Sequence, residues 1–113
     1  MLLERRNSER ASLLGVWVKE ENGDYHFSYR ACNISDEGIF LENRFKTNDQ
    51  EAFSRLSFVL PNGKAIRNIS AKMVREARVG KKTGAVFQFI DLEEQTRIEL
   101  KKFIFDCTFR GTA

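Results

Sequence analysis

Two short clusters hold the residues whose types and spacing suit chemistry: Arg6-Asn-Ser-Glu-Arg10 near the start of the chain, and Asn33-Ile-Ser-Asp-Glu-Gly38. The first sets two guanidiniums four residues apart, beside a third on Arg5. A guanidinium offers parallel donors in a rigid fork, which matches a phosphate or a purine edge in a way that lysine cannot. The second cluster sets the Asn33 amide, the Ser35 hydroxyl and Gly38 on what reads as a tight turn between strands. Together they form a cationic fork facing a polar socket, a chemistry suited to a small ligand that carries phosphates and purine edges.

The two clusters differ in how much they say. Eleven arginines in 113 residues produce about one Arg-x-x-x-Arg by chance, so that spacing alone carries little weight. The pattern Asn/Asp-x-Ser-x-x-Gly has roughly 0.04 expected occurrences in a chain of this composition. Its place at a strand–turn–strand junction, downstream of Arg10, narrows it further.

Other functions find little support. Net charge is +3, too mild to indicate a nucleic-acid polymer as partner, so any electropositive site must come from local clustering. His26 stands on a strand beside no identifiable partner, and no nucleophile–base pair is evident, so no catalytic residue is expected. Cys32 and Cys107 match no metal-ligand spacing and read as buried free thiols of a reducing compartment. No metal or cofactor is expected. The chain starts Met1-Leu-Leu-Glu-Arg-Arg with no apolar leader core, and no stretch approaches membrane-spanning length, so a cytoplasmic protein without membrane insertion is expected.

The elements that must position the two clusters are mostly strands. Residues 1–11 are polar and charged without a sustained apolar period, and read as a flexible N-terminal arm ahead of a single domain at 12–113. Leu14, Val16 and Val18 alternate with Gly15, Trp17 and Lys19, the period of a strand. A hairpin turn at 21–24 follows, with Asn-Gly as the expected turn pair. Tyr25, Phe27 and Tyr29 resume the alternation, and Ile39-Phe-Leu41 forms a third strand after the turn at 33–38. Residues 43–53 read as a loop with room for one helical turn. Leu56, Phe58 and Leu60 mark a fourth strand, 66–78 a long fifth one with a bulge near Val74, and Ala85, Phe87 and Phe89 a sixth. Asp91 reads as an N-cap, with Glu94 completing a capping box. From there Leu92, Thr96, Leu100, Phe103, Ile104 and Cys107 form a helical stripe, with Phe105 and Phe109 off it. Trp17 and Tyr25 read as barrel packing, and Arg75 as a surface strand arginine. The expected fold class is all-β: a small six-stranded antiparallel barrel with a C-terminal α-helix.

With both motifs and the strand order in hand, the sequence resembles the PilZ domain family of bacterial cyclic di-GMP receptors. Arg6-x-x-x-Arg10, Asn33-x-Ser35-x-x-Gly38, residues 56–61, Met73-Val-Arg75 and Phe87-Gln-Phe89 ahead of a terminal helix carry the likeness. The resemblance implies a six-stranded barrel whose N-terminal arm folds over the bound dinucleotide. It implies that Arg6 and Arg10 grip guanine edges and phosphates, with Arg5 placed to take a further phosphate. It also implies that Asn33 accepts from guanine, that Ser35 supplies a hydroxyl to a base or to the turn, and that Gly38 allows a backbone geometry or close approach a side chain would block. The implied function is a non-catalytic receptor or adaptor, monomeric or weakly dimeric, which presents a ligand-ordered surface to a downstream protein controlling motility, biofilm or exopolysaccharide output. A ligand-independent interaction module of the same family is the alternative. Asp36 and Glu37 place two negative charges in the turn, which a dianionic ligand disfavours unless they point to solvent. Arg5, Arg6 and Arg10 have a simpler reading as a solvated arm paired with Glu4 and Glu9, and Asn33 and Ser35 as turn residues bonding their own backbone.

Overall fold

The computed structural model describes residues 10–13, 15–47 and 51–110, the last three of these by their backbone alone. Seven strands and one helix follow in chain order: β1 (Ala11–Ser12), β2 (Trp17–Asn22), β3 (Tyr25–Ile34), β4 (Gly38–Glu42), β5 (Ser54–Val59), β6 (Ala65–Val79), β7 (Lys82–Phe89) and α1 (Glu94–Arg110). Every pairing is antiparallel, and the sheet runs β1-β3-β2-β5-β6-β7-β4 before β3 pairs with β4 to close it. Six strands thus form a closed barrel, as the hydrophobic alternation indicates, and closure removes the open sheet edges. The short extra strand β1 adds to β3 through Ala11 opposite Ile34 and Ser12 opposite Asn33. It spans the position at which the sequence suggests a junction between arm and domain.

Strand period decides what is inside. Val18 alternates inward with Glu20 and Asn22 on β2, Leu56 and Phe58 on β5, and Ala85, Phe87 and Phe89 on β7, all of them buried. Trp17 departs from its expected packing role and is 54% exposed, because it has the opposite parity to Val16 and Val18. Tyr25, expected in the barrel wall, is also exposed; it opens β3 beside the hairpin turn. In that hairpin Asn22 pairs with Tyr25, so the turn is Gly23 and Asp24, and Gly23 takes the positive φ. Asn22 closes the strand with its side chain turned inward. The long β6 shifts register between Met73 and Arg75, which is the bulge expected near Val74. No helical turn forms in the described parts of the 43–53 loop.

The helix begins later than its capping pattern suggests. Asp91 has φ +53, and the Arg97 N–H donates to the Glu93 carbonyl, so the first turn opens after Asp91 and not from it. Leu100, Phe103 and Ile104 are buried, with Leu92 and Cys107 partly so, and the stripe packs into the barrel's hydrophobic core. Burying each large side chain contributes on the order of 1.5–3 kcal/mol. Phe105 stays 59% exposed, off the stripe. Both thiols are free and half-buried, less enclosed than their sequence reading. Burial holds the Cys107 thiol above its ordinary pKa, with Asp106 adding to the effect. No described helix is long and apolar enough to cross a membrane.

Candidate functional site

The turn at 35–38 joins β3 to β4 at the barrel rim and is built by Ser35. Its hydroxyl accepts from the backbone N–H of Glu37 at 3.0 Å and of Gly38 at 3.2 Å, while its own N–H donates to the Gly38 carbonyl at 2.9 Å. A serine two residues ahead of an N–H it can cap is a standard way to fix such a turn. Ser35 is fully buried. Gly38 has no positive φ, so of its two expected roles the close approach is the one observed. A Cβ at Gly38 would lie 2.3 Å from the Phe87 carbonyl oxygen of the neighbouring strand. Gly84, near the far end of the same β4–β7 ladder, meets the Leu41 carbonyl oxygen equally closely at 2.0 Å. Two glycines therefore let β4 and β7 approach where side chains would hold them apart.

Arg10 reaches this rim from the residue just before β1. Its Nε donates to Asn33 Oδ1 at 3.0 Å, and its Nη1 lies 3.4 Å from Ser35 Oγ. The β1–β3 register is what brings residues 23 and 25 positions apart together. Asn33 is not a self-bonded turn residue; it lies in β3, and its side-chain oxygen receives the arginine. Arg10, Asn33, Ser35 and Gly38 thus form one partly exposed polar patch. Arg5 and Arg6 lie outside the described residues.

The two acidic residues of the turn separate in direction. The Asp36 carboxylate faces α1, with Arg97 Nη1 at 3.5 Å and Lys101 Nζ at 3.8 Å. It points neither freely to solvent nor alone into the rim, because the helix supplies two cations against it. Nothing in the sequence pattern links these residues; they meet because the helix, anchored in the core by Leu100, Phe103 and Ile104, runs beside the turn. Glu37 is exposed, and its carbonyl accepts from the Phe89 N–H.

A second polar cluster, which sequence reasoning missed, lies inside the barrel. Arg44 donates to both oxygens of Glu20, at 2.6 and 2.9 Å, and also to the Phe45 carbonyl. Ser54 Oγ donates to Glu20 Oε2 at 2.5 Å, and Asn22 Nδ2 donates to Ser54 Oγ at 2.8 Å. Asn22 also binds the backbone of Glu51 and Phe53. The guanidinium rests 5.4 Å from the Phe87 ring centroid and 5.9 Å from that of Tyr29. The hydrogen bond to Glu20 raises the Arg44 pKa, and burial raises that of the Tyr29 phenol. With Arg44 and Glu20 only 4% and 3% exposed, this is a closed structural network. Its sequence signal was a lone arginine in a polar loop, with partners 24 to 34 positions from one another.

Elsewhere His26 and Arg75 are exposed strand residues. Among the described residues no group of three or more His, Cys, Asp or Glu side chains gathers to hold a metal.

The PilZ domain profile matches residues 4–106. No curated protein sequence matches the chain significantly. Among solved structures, YcgR from Escherichia coli in complex with c-di-GMP superposes with a TM-score of 0.76 at 14% identity, covering 96% of this chain and 48% of that one. The K. pneumonia MrkH–c-di-GMP complex gives 0.76 at 15% identity over 96% and 54% of the two chains. The Bacillus subtilis inhibitor of motility MotI gives 0.71 at 18% identity over 92% and 51%. The chain therefore spans about half the length of each of these proteins. With the profile covering nearly its whole length and the closed barrel and terminal helix in place, the chain belongs to the PilZ domain family.

Proposed function

We propose that this chain is a non-catalytic receptor for cyclic di-GMP, with the patch formed by Arg10, Asn33, Ser35 and Gly38 as one wall of the binding site. One observation carries the reading: the Arg10 guanidinium is already held on the rim by Asn33 and Ser35, so a phosphate or guanine edge meets a preplaced fork. Relatives of the same fold, YcgR and MrkH, have structures with c-di-GMP. The pairing of Asp36 with Arg97 and Lys101 offsets the carboxylate nearest the rim, which suits a dianionic ligand.

In this reading Arg6 and Arg5, from the arm at 1–11, complete the grip on the ligand's other face, and Asn33 exchanges its arginine partner for a guanine donor. Gly38 keeps β4 against β7 so that the turn holds its shape. Ligand binding orders the arm over the barrel domain at 12–113. Ordering costs about 1–2 kcal/mol per residue, which charge-assisted hydrogen bonds to the ligand offset. The result is a disorder-to-order switch whose new surface is read by a downstream protein in a motility or biofilm pathway of the cytoplasm.

Titration calorimetry of the purified chain with cyclic di-GMP tests this. Saturable heat at micromolar ligand, lost in Arg10→Ala and in Arg6→Ala, is the expected result. No heat and no thermal shift would overturn the receptor reading and leave a ligand-independent interaction module.

A further inference from the structure

A groove crosses the outer face of the barrel on β2, β5 and β6, made of residues the ligand reading does not use. Strand parity turns Trp17 and Lys19 outward on β2, and Ser57 and Val59 outward on β5. Lys19 pairs with Ser28 on one side and Ser57 on the other. These two small neighbours leave a hollow of about 450 Å³ around its stem. Trp17 and Val59 both line this hollow, and they stand 54% and 55% exposed. Arg67 lines the far side, and the Arg30 guanidinium lies 5.1 Å from the Trp17 ring centroid. Among the described residues no carboxylate lines the groove.

We infer that this groove docks an acidic segment of a partner protein that carries an apolar side chain. Single exposed apolar residues need no explanation. Here, however, a tryptophan and a valine flank one hollow, and the charged side chains described as lining it, Lys19 and Arg67, have one sign. Trp and Arg are the residue types that dominate interface energetics, and a one-signed basic rim selects an acidic partner. Nucleic acid fits less well. Arg30 takes up a ring face on which a base would stack, and three cations give only a weak phosphate contribution. Strand addition is not the mode, since β2 is already paired on both sides. The groove wall at Gly15 and Val16 follows shortly after β1, so a docked partner sits at the root of the arm.

The chain holds a single tryptophan, so its own emission reports occupancy. The full chain is titrated with a labelled peptide of about twelve residues alternating aspartate and leucine, following anisotropy and Trp17 emission. Saturable binding with a blue shift is expected. Binding should weaken about tenfold or more in Trp17→Ala and in the Lys19→Glu, Arg67→Glu double variant, whose urea midpoints stay at the parent value. Absence of saturable binding, or binding that these variants leave unchanged, overturns the inference. So does tighter binding of an oligothymidine or of a lysine–leucine peptide of equal length. Each titration is run with and without cyclic di-GMP. Ligand binding is read separately by calorimetry, so failure of the groove and failure of the receptor reading are distinguishable.

Discussion

Among the described residues of the barrel, two arginine-centred polar clusters are built to opposite specifications. Around Arg44 the bonds are short, the residues are almost wholly buried, and both carboxylate oxygens of Glu20 are engaged. Around Arg10 the contacts are 3.0 and 3.4 Å, and the arginine and Asn33 are half-buried. A buried charge must have its partners or it destabilises the fold. A charge at a rim retains access to solvent and to whatever solvent carries. Similar side chains thus make a structural strut in one place and a candidate ligand grip in the other, and burial with complete hydrogen bonding distinguishes them.

Four measurements break or sharpen this contrast. The largest effect is expected from Arg44→Leu, which leaves Glu20 buried without its cation and should cost about 3–5 kcal/mol in urea unfolding. The Glu20→Leu, Arg44→Leu double variant should recover most of that loss. If the single variant is near neutral, Arg44 is not the strut described. Next comes Gly38→Ala, whose new Cβ meets the Phe87 carbonyl oxygen and should cost about 1–3 kcal/mol by forcing β4 from β7. Arg10→Ala should change stability by only about 0.5–1 kcal/mol while abolishing the cyclic di-GMP heat. Unfolding as severe as that of Arg44→Leu would erase the distinction between the two clusters. The smallest effect concerns pH. Burial raises the Tyr29 phenol above its ordinary 10.0, so the folded state holds that proton more tightly than the unfolded state. Stability from this group is level below pH 10 and falls as pH rises past it. Tyr29→Phe should lessen the alkaline drop in urea midpoint.

Much of the fold was legible in the chain because strand alternation is a local property. The parity of Val16 and Val18, the run of Ala85, Phe87 and Phe89, and the stripe through Leu100 and Ile104 each announce their element and its buried face. The same parity turns Trp17 outward, against its expected place in the barrel packing. Aromatic residues are large enough to suit a core, but a strand offers only alternate positions to it. The helix start was misplaced because Asp91 has the composition of a cap, whereas its left-handed backbone belongs to the turn out of β7.

Within the candidate site, Asn33, Ser35 and Gly38 could be read from the sequence since they share one turn and its flanking strands. Residue types and order settled which chemistry is on offer: guanidinium forks, a side-chain amide, a hydroxyl at a turn and a glycine free of Cβ. Only the closed barrel decided who meets whom. It set Arg10 on Asn33 through the β1–β3 register, turned Asp36 toward Arg97 and Lys101, and sealed Arg44 against Glu20. Those pairings span tens of residues, and a pattern with a period of two or of 3.6 residues contains no information about contacts at that range.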